Sequence, residues 1–215
     1  MKQKLTVEIW SDIACPFCYL GKRRFETALA GFAGRDNVEV VWKSYQLNPY
    51  LKTDPSISIF DYLARAKRID LETARQLNAH VSAMAAPDGI VYDWDSVIVA
   101  NTFDAQRLIQ FAATHGKGAE AEERLFVAYF TEGRNVADRA TLVELGRDIG
   151  LDARELEQAL ESGAFREEVT ADIEEARQLG ISGVPFFVFD RRFAVSGAQP
   201  VALFADVLER ARQAE

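Results

Sequence analysis

The chain has 215 residues, 48% of them hydrophobic, and a formal net charge of −8 at pH 7. That much apolar material suits one domain carrying an insertion, or two closely packed domains. The acidic balance, with no Lys/Arg run longer than Lys22-Arg23-Arg24, argues against a nucleic-acid or anionic-membrane surface. Met1 leads straight into a strand-like pattern, without a basic n-region, apolar h-region and cleavage site, and no apolar stretch approaches membrane-spanning length. The expectation is a cytoplasmic chain, where a cysteine pair is more often catalytic than structural.

In chain order, Leu5, Val7 and Ile9 alternate with Thr6, Glu8 and Trp10, which predicts a strand. A helix follows from near Pro16 through Tyr19, Leu20, Phe25 and Leu29, ending near Gly31 or Gly34, and Val38 to Trp42 restores strand character. From residue 51 to about 164 the period becomes helical throughout, with segments predicted over 56–68, 70–85, 97–115, 118–131, 139–149 and 153–162. Breaks fall at Ala86-Pro87-Asp88-Gly89, Gly116-Lys117-Gly118, Gly133 and Gly150, and Asp152 with Glu155 forms a capping box. A helix over about 164–179 leads to two strands, Phe186 to Phe189 and Phe193 to Val195, joined by Asp190-Arg191-Arg192. Pro200 opens a last helix through Leu208.

Both cysteines sit in one tetrapeptide, Cys15-Pro16-Phe17-Cys18, between the first strand and its helix. Residues three apart share a helix face, close enough for a disulfide of ordinary geometry. Cys15 is expected at the exposed helix N-terminus, where free N–H groups and the positive dipole end favour a thiolate. Thiols of such motifs can have pKa values lowered to about 3.5–7.5, against about 8.5 for free cysteine. Pro16 fits the first turn because its missing N–H would be unused there. Two other readings stand beside redox chemistry: half of a zinc site, or two small core hydrophobes. A structural zinc site needs four ligands, and only His80 and His115 remain, not spaced as a pair, so no metal is expected.

Other polar groups carry weaker signals. Asp12, three before Cys15, reads as a turn cap, with proton transfer as the alternative. Lys22 reads as a solvated helix residue, or else as a charge near Cys18. His80 and His115 read as surface or cap residues, and Glu8 lies beneath the thiols only if the strand's polar face points there.

The order β-α-β, helical block, α-β-β-α is that of a thioredoxin fold interrupted by a large all-helical insertion. Ser11-Asp12-Ile13-Ala14-Cys15-Pro16-Phe17-Cys18-Tyr19-Leu20-Gly21 resembles the active-site segment of the DsbA family in its FrnE-like branch. Gly180-Ile181-Ser182-Gly183-Val184-Pro185-Phe186-Phe187-Val188 resembles that family's cis-proline loop. Tyr45 to Pro49 and Asn101 to Leu108 are also similar to FrnE-type segments, so the likeness spans essentially the whole chain; Gln106 departs where many relatives carry histidine.

The resemblance implies a thioredoxin-like domain from residues 1–50 and 165–215, with 51–164 as an inserted helical cap. It implies a thiol–disulfide oxidoreductase acting on protein or small-molecule disulfides, with no cofactor beyond the Cys15–Cys18 couple. On this reading Cys15 exchanges with substrate, Cys18 resolves the mixed disulfide, and Pro16 and Phe17 tune the pair. Phe17 brings no positive charge or hydrogen bond, and an aromatic simply packed on the cap is its other reading. The Val184–Pro185 bond is expected to be cis and to face the thiols, presenting the Val184 backbone to a substrate strand. The chain is also similar to 2-hydroxychromene-2-carboxylate isomerases and kappa-class glutathione transferases, which makes glutathione a candidate reductant or ligand and glutathione-dependent isomerisation or transfer the rival activity. A third reading is a non-enzymatic, chaperone-like peptide-binding module.

Overall fold

A computed structural model describes residues 4–214, so Met1 lies outside the described residues. Strand β1 (Leu5–Ser11) pairs in parallel with β2 (Val38–Ser44), from Leu5 opposite Val38 to Ser11 opposite Ser44. On its other side β1 runs antiparallel to β3 (Phe186–Phe189), which pairs antiparallel with β4 (Phe193–Ser196). Among the described residues this is one four-stranded sheet in the order β2-β1-β3-β4. Helix α1 (Pro16–Gly31) crosses between β1 and β2, as a parallel pair requires.

Central position explains why both faces of β1 are covered. Leu5, Val7 and Ile9 face the layer of α1 and the C-terminal α9 (Val201–Gln213), where Phe25, Phe187, Phe189 and Phe204 pack at ring distances of 4.7–6.2 Å. Trp10 turns the other way, onto Ala176 of α8 (Arg166–Gln178), and its Nε1–H donates to the Asp172 carbonyl at 3.0 Å. Glu8 shares that alternation and pairs with Arg191, which also pairs with Glu175 of α8, so it points to the α8 face of the sheet and not to the α1 face that carries the thiols.

Between β2 and α8 the chain forms the helical block: α2 (Ile59–Lys67), α3 (Leu71–Ala85), α4 (Phe103–Thr114), α5 (Gly118–Phe130), α6 (Arg139–Asp148) and α7 (Ala153–Ser162). Ser58, Asp70, Asp138 and Asp152 each accept a hydrogen bond from the backbone N–H three residues on, at 2.7–3.0 Å. Each such cap stabilises its helix by about 1 kcal/mol. One hydrophobic cluster runs from the sheet through this block.

The block is not helical throughout. A 3₁₀ turn at Ala86–Asp88 leads into an irregular stretch, and the helix expected over 97–115 starts only at Phe103. Residues 97–102 are pinned instead: Asp54 N–H donates to the Val99 carbonyl at 2.9 Å, and Asn101 N–H to Thr53 Oγ1 at 3.0 Å. Buried Val97, Val99 and Ala100 mimic a helical stripe, but Val97 and Val99 also fit a period of two. Likewise α2 begins at Ile59 rather than 56, because Asp54 closes a turn by accepting from the Ser56 N–H at 2.9 Å.

Candidate functional site

The site is built where β1 ends. After Ser11 the chain turns, Cys15 N–H donating to the Asp12 carbonyl at 2.9 Å, and Cys15 becomes the N-cap of α1 with Pro16 in the first turn. Cys18 N–H donates to the Cys15 carbonyl at 3.0 Å, so the second thiol sits one turn deeper. Both are free thiols, and both are buried: Cys15 is 4% exposed and Cys18 1%. The exposure expected of Cys15 is therefore corrected. Tyr92, from the irregular stretch of the helical block, closes over the helix start and donates its hydroxyl to the Pro16 carbonyl at 2.8 Å. Phe17 is the exposed member of the tetrapeptide, at 37%, and is not packed away under the cap.

The second motif reaches the same place. The Val184–Pro185 peptide bond is cis, and Cys15 Sγ–H donates to the Val184 carbonyl at 3.5 Å. Gly21, one turn beyond Cys18, lets α1 approach this loop: a Cβ there would stand 2.8 Å from Pro185 Cγ. Gly21→Ala is accordingly expected to lower unfolding stability by about 1–3 kcal/mol, as overpacking does. An unchanged urea midpoint would show that the loop gives way freely.

Asp12 fills the turn role read from the sequence and extends it. One carboxylate oxygen accepts from Ala14 N–H at 3.2 Å and Thr102 Oγ1–H at 2.7 Å, the other from Leu47 N–H at 2.7 Å. Burial raises its pKa against these bonds. Gln106, on α4, donates to the Ser11 and Tyr45 carbonyls at 3.0 and 3.3 Å, tying the helical block to the two strand ends. Lys22 is not solvated. It is 3% exposed and paired with Glu26 at 2.8 Å and with Glu123 of α5 at 2.7 Å. His80 and His115 lie on the surface, and no metal-holding cluster occurs among the described residues.

Sequence reasoning missed Glu122. It lies wholly buried on α5 and accepts a short hydrogen bond from the Ser11 hydroxyl. Burial pushes its carboxyl from an ordinary 4.5 up to about 7, only partly offset by Ser11 and the Lys22 charge. Ser11 also acts on the Cys18 thiol. Burial and the neighbouring Cys15 push its thiol up, while the Asp12 backbone and the Ser11 side chain pull it down. Cys18, Ser11 and Glu122 are all buried, Ser11 hydrogen-bonded to the carboxylate and lowering the pKa of the thiol. A signal existed: Leu125, Phe126 and Tyr129 follow Glu122 at three, four and seven residues, which puts it on the apolar stripe of α5.

Comparison with known proteins places the chain by family and fold. The family model for the DSBA-like thioredoxin domain matches residues 6–209. The fold superposes on a probable DsbA oxidoreductase from Streptomyces coelicolor with a TM-score of 0.90 and 40% identity, covering 98% of this chain and 91% of that one. The uncharacterised protein YwbO of Bacillus subtilis is 28% identical over 207 residues, 95% of this chain and 94% of YwbO. The cytosolic disulfide reductase DsbM from Pseudomonas aeruginosa, solved with GSH, shares the fold with a TM-score of 0.64 and 22% identity, over 96% of this chain and 99% of DsbM. With strand order, helical insertion and family match in agreement, the chain belongs to the DSBA-like thioredoxin-domain family.

Proposed function

We propose that the protein is a thiol–disulfide oxidoreductase working through Cys15 and Cys18. The observation that carries this is the placement of two free thiols one turn apart, with Cys15 Sγ against the Val184 carbonyl at 3.5 Å. In the reducing direction the Cys15 thiolate attacks one sulfur of a substrate disulfide, breaking that S–S bond and releasing a thiolate that takes up a proton. Cys18, having given its proton through Ser11 to Glu122, attacks Cys15 and frees the second substrate thiolate, which is protonated in turn. Two electrons and two protons reach the substrate, and the protein is left as the Cys15–Cys18 disulfide. The oxidising direction is the reverse.

Pro16 and Phe17 shape the helix start around the thiols, and the Val184–Pro185 loop offers its backbone to the incoming chain. The couple needs no further cofactor, and glutathione serves as a reductant. A cytoplasmic setting suits a free dithiol, and DsbM is a cytosolic relative in fold. The helical block, residues 51–164, acts as a cap on a discontinuous thioredoxin-like domain. Among the described residues no helix is long and apolar enough to cross a membrane.

Equilibration in glutathione redox buffers, read by thiol alkylation, tests the couple. The expected result is a single two-electron transition lying between about −270 mV, as in thioredoxin, and about −120 mV, as in DsbA. Its position sets the direction of exchange. Thiols that stay reduced across that whole span would defeat the proposal.

A further inference from the structure

A cavity of about 320 Å³ opens beside Ala14, the residue before Cys15, between the loop after β2 and helix α2. Its walls are largely apolar, from Leu47, Leu51, Ile59, Leu63 and Val99. Tyr129 of α5 also lines it, and that side chain is 2% exposed. Among the described residues the Tyr129 hydroxyl has no hydrogen-bond partner, and burial with the nearby Asp12 carboxylate raises its pKa, keeping it a neutral donor. That hydroxyl faces the open space of the cavity, so an occupant meets an uncommitted donor and acceptor there.

The lining selects among occupants. Glutathione carries two carboxylates and an ammonium group. The cavity offers one cation, Lys67 on the exposed end of α2, and its one acid, Asp12, already accepts three hydrogen bonds. A bulky apolar side chain with a polar tip fits both the walls and the unpaired hydroxyl. We propose that this cavity receives an aromatic side chain, tyrosine above all, flanking the cysteine of a peptide or protein disulfide substrate, with Tyr129 hydrogen-bonded to its tip. The inference rests on the thiol-exchange reading and gives that chemistry its substrate class.

The test uses symmetrical disulfides of short blocked peptides X-Cys-X, with X tyrosine, phenylalanine, serine or glutamate, alongside glutathione disulfide. The wild-type kcat/KM is expected to favour tyrosine and phenylalanine over serine by roughly 10-fold or more, from burial of one aromatic ring. Tyrosine should exceed phenylalanine by about 5-fold, the worth of one hydrogen bond. Tyr129→Phe keeps the ring packed on Phe130 at 4.8 Å and removes only the hydroxyl. It should erase the tyrosine-over-phenylalanine preference while aromatic peptides still outpace serine. Leu63→Glu, which places a charge in the wall, should erase the aromatic preference itself. Equal rates for all four peptides, glutathione disulfide outpacing every one, or a tyrosine preference that survives Tyr129→Phe would overturn the assignment while leaving the thiol chemistry standing. No exchange with any disulfide would overturn the thiol chemistry and this inference with it.

Discussion

Cys15→Ser is expected to abolish disulfide exchange, a loss on the order of 1,000-fold or more, whereas Cys18→Ser should accumulate a mixed disulfide between Cys15 and substrate. The asymmetry follows from depth. Cys15, though only 4% exposed, caps the helix at its N-terminal end beside exposed Phe17 and the Val184 carbonyl, nearer the surface than Cys18. Cys18 is one turn inward, and its burial holds the proton on its sulfur until a base removes it. It therefore meets the mixed disulfide rather than the substrate. The same variant separates this function from glutathione-dependent isomerisation or transfer, which needs one activating group and not a dithiol. Cys18→Ser should stop multiple turnover in a small-disulfide or insulin reduction assay. Rapid glutathione-dependent turnover by that variant would reverse the ranking of the two activities. Alkylation of both thiols at one rate near neutral pH would remove the division of labour. Full function in a doubly substituted Cys15→Ser, Cys18→Ser protein would favour the non-enzymatic peptide-binding reading.

The frame that positions these thiols was legible because its signals are local. Alternation in β1, the helix opening at Pro16 and the short hairpin from β3 to β4 each follow from neighbouring residues. What escaped are properties conferred by distant segments. Cys15 looked exposed because nothing near it in sequence covers it; segments distant in sequence do, among them Tyr92, which bonds the Pro16 carbonyl from 76 positions away. Lys22 looked solvated because its second carboxylate partner, Glu123, arrives on α5. Residues 97–102 looked helical because buried valines fit either period, and only the pairing of Asp54 with Val99 settles which one holds. Glu122 was readable in part. A carboxylate on an apolar helical stripe must be buried, and a buried carboxylate needs a partner, but the stripe does not name Ser11.

That carboxylate yields the second large effect. Glu122→Gln should slow the Cys18-dependent step by roughly 100-fold, at the lower end of what a positioned base contributes. The wild-type rate of resolution should rise with pH through about 7, as Glu122 loses its proton and becomes able to take that of Cys18. In the variant that rising limb should vanish, while the first attack by Cys15 persists. Stability gives an independent reading with a fixed sign. The folded-state value of Glu122 lies above its ordinary 4.5, so its stabilising contribution is complete below about pH 4.5 and is lost as pH rises through about 7. Glutamine has no proton to lose. Relative to wild type, the variant should therefore gain about 3 kcal/mol of unfolding free energy between pH 4 and pH 8. Urea denaturation at several pH values measures the gain, and stopped-flow resolution of a preformed Cys15 mixed disulfide measures the rate. A stability gain without any change in the rate profile would make Glu122 a buried structural acid, and the proton of Cys18 would have to leave by another route.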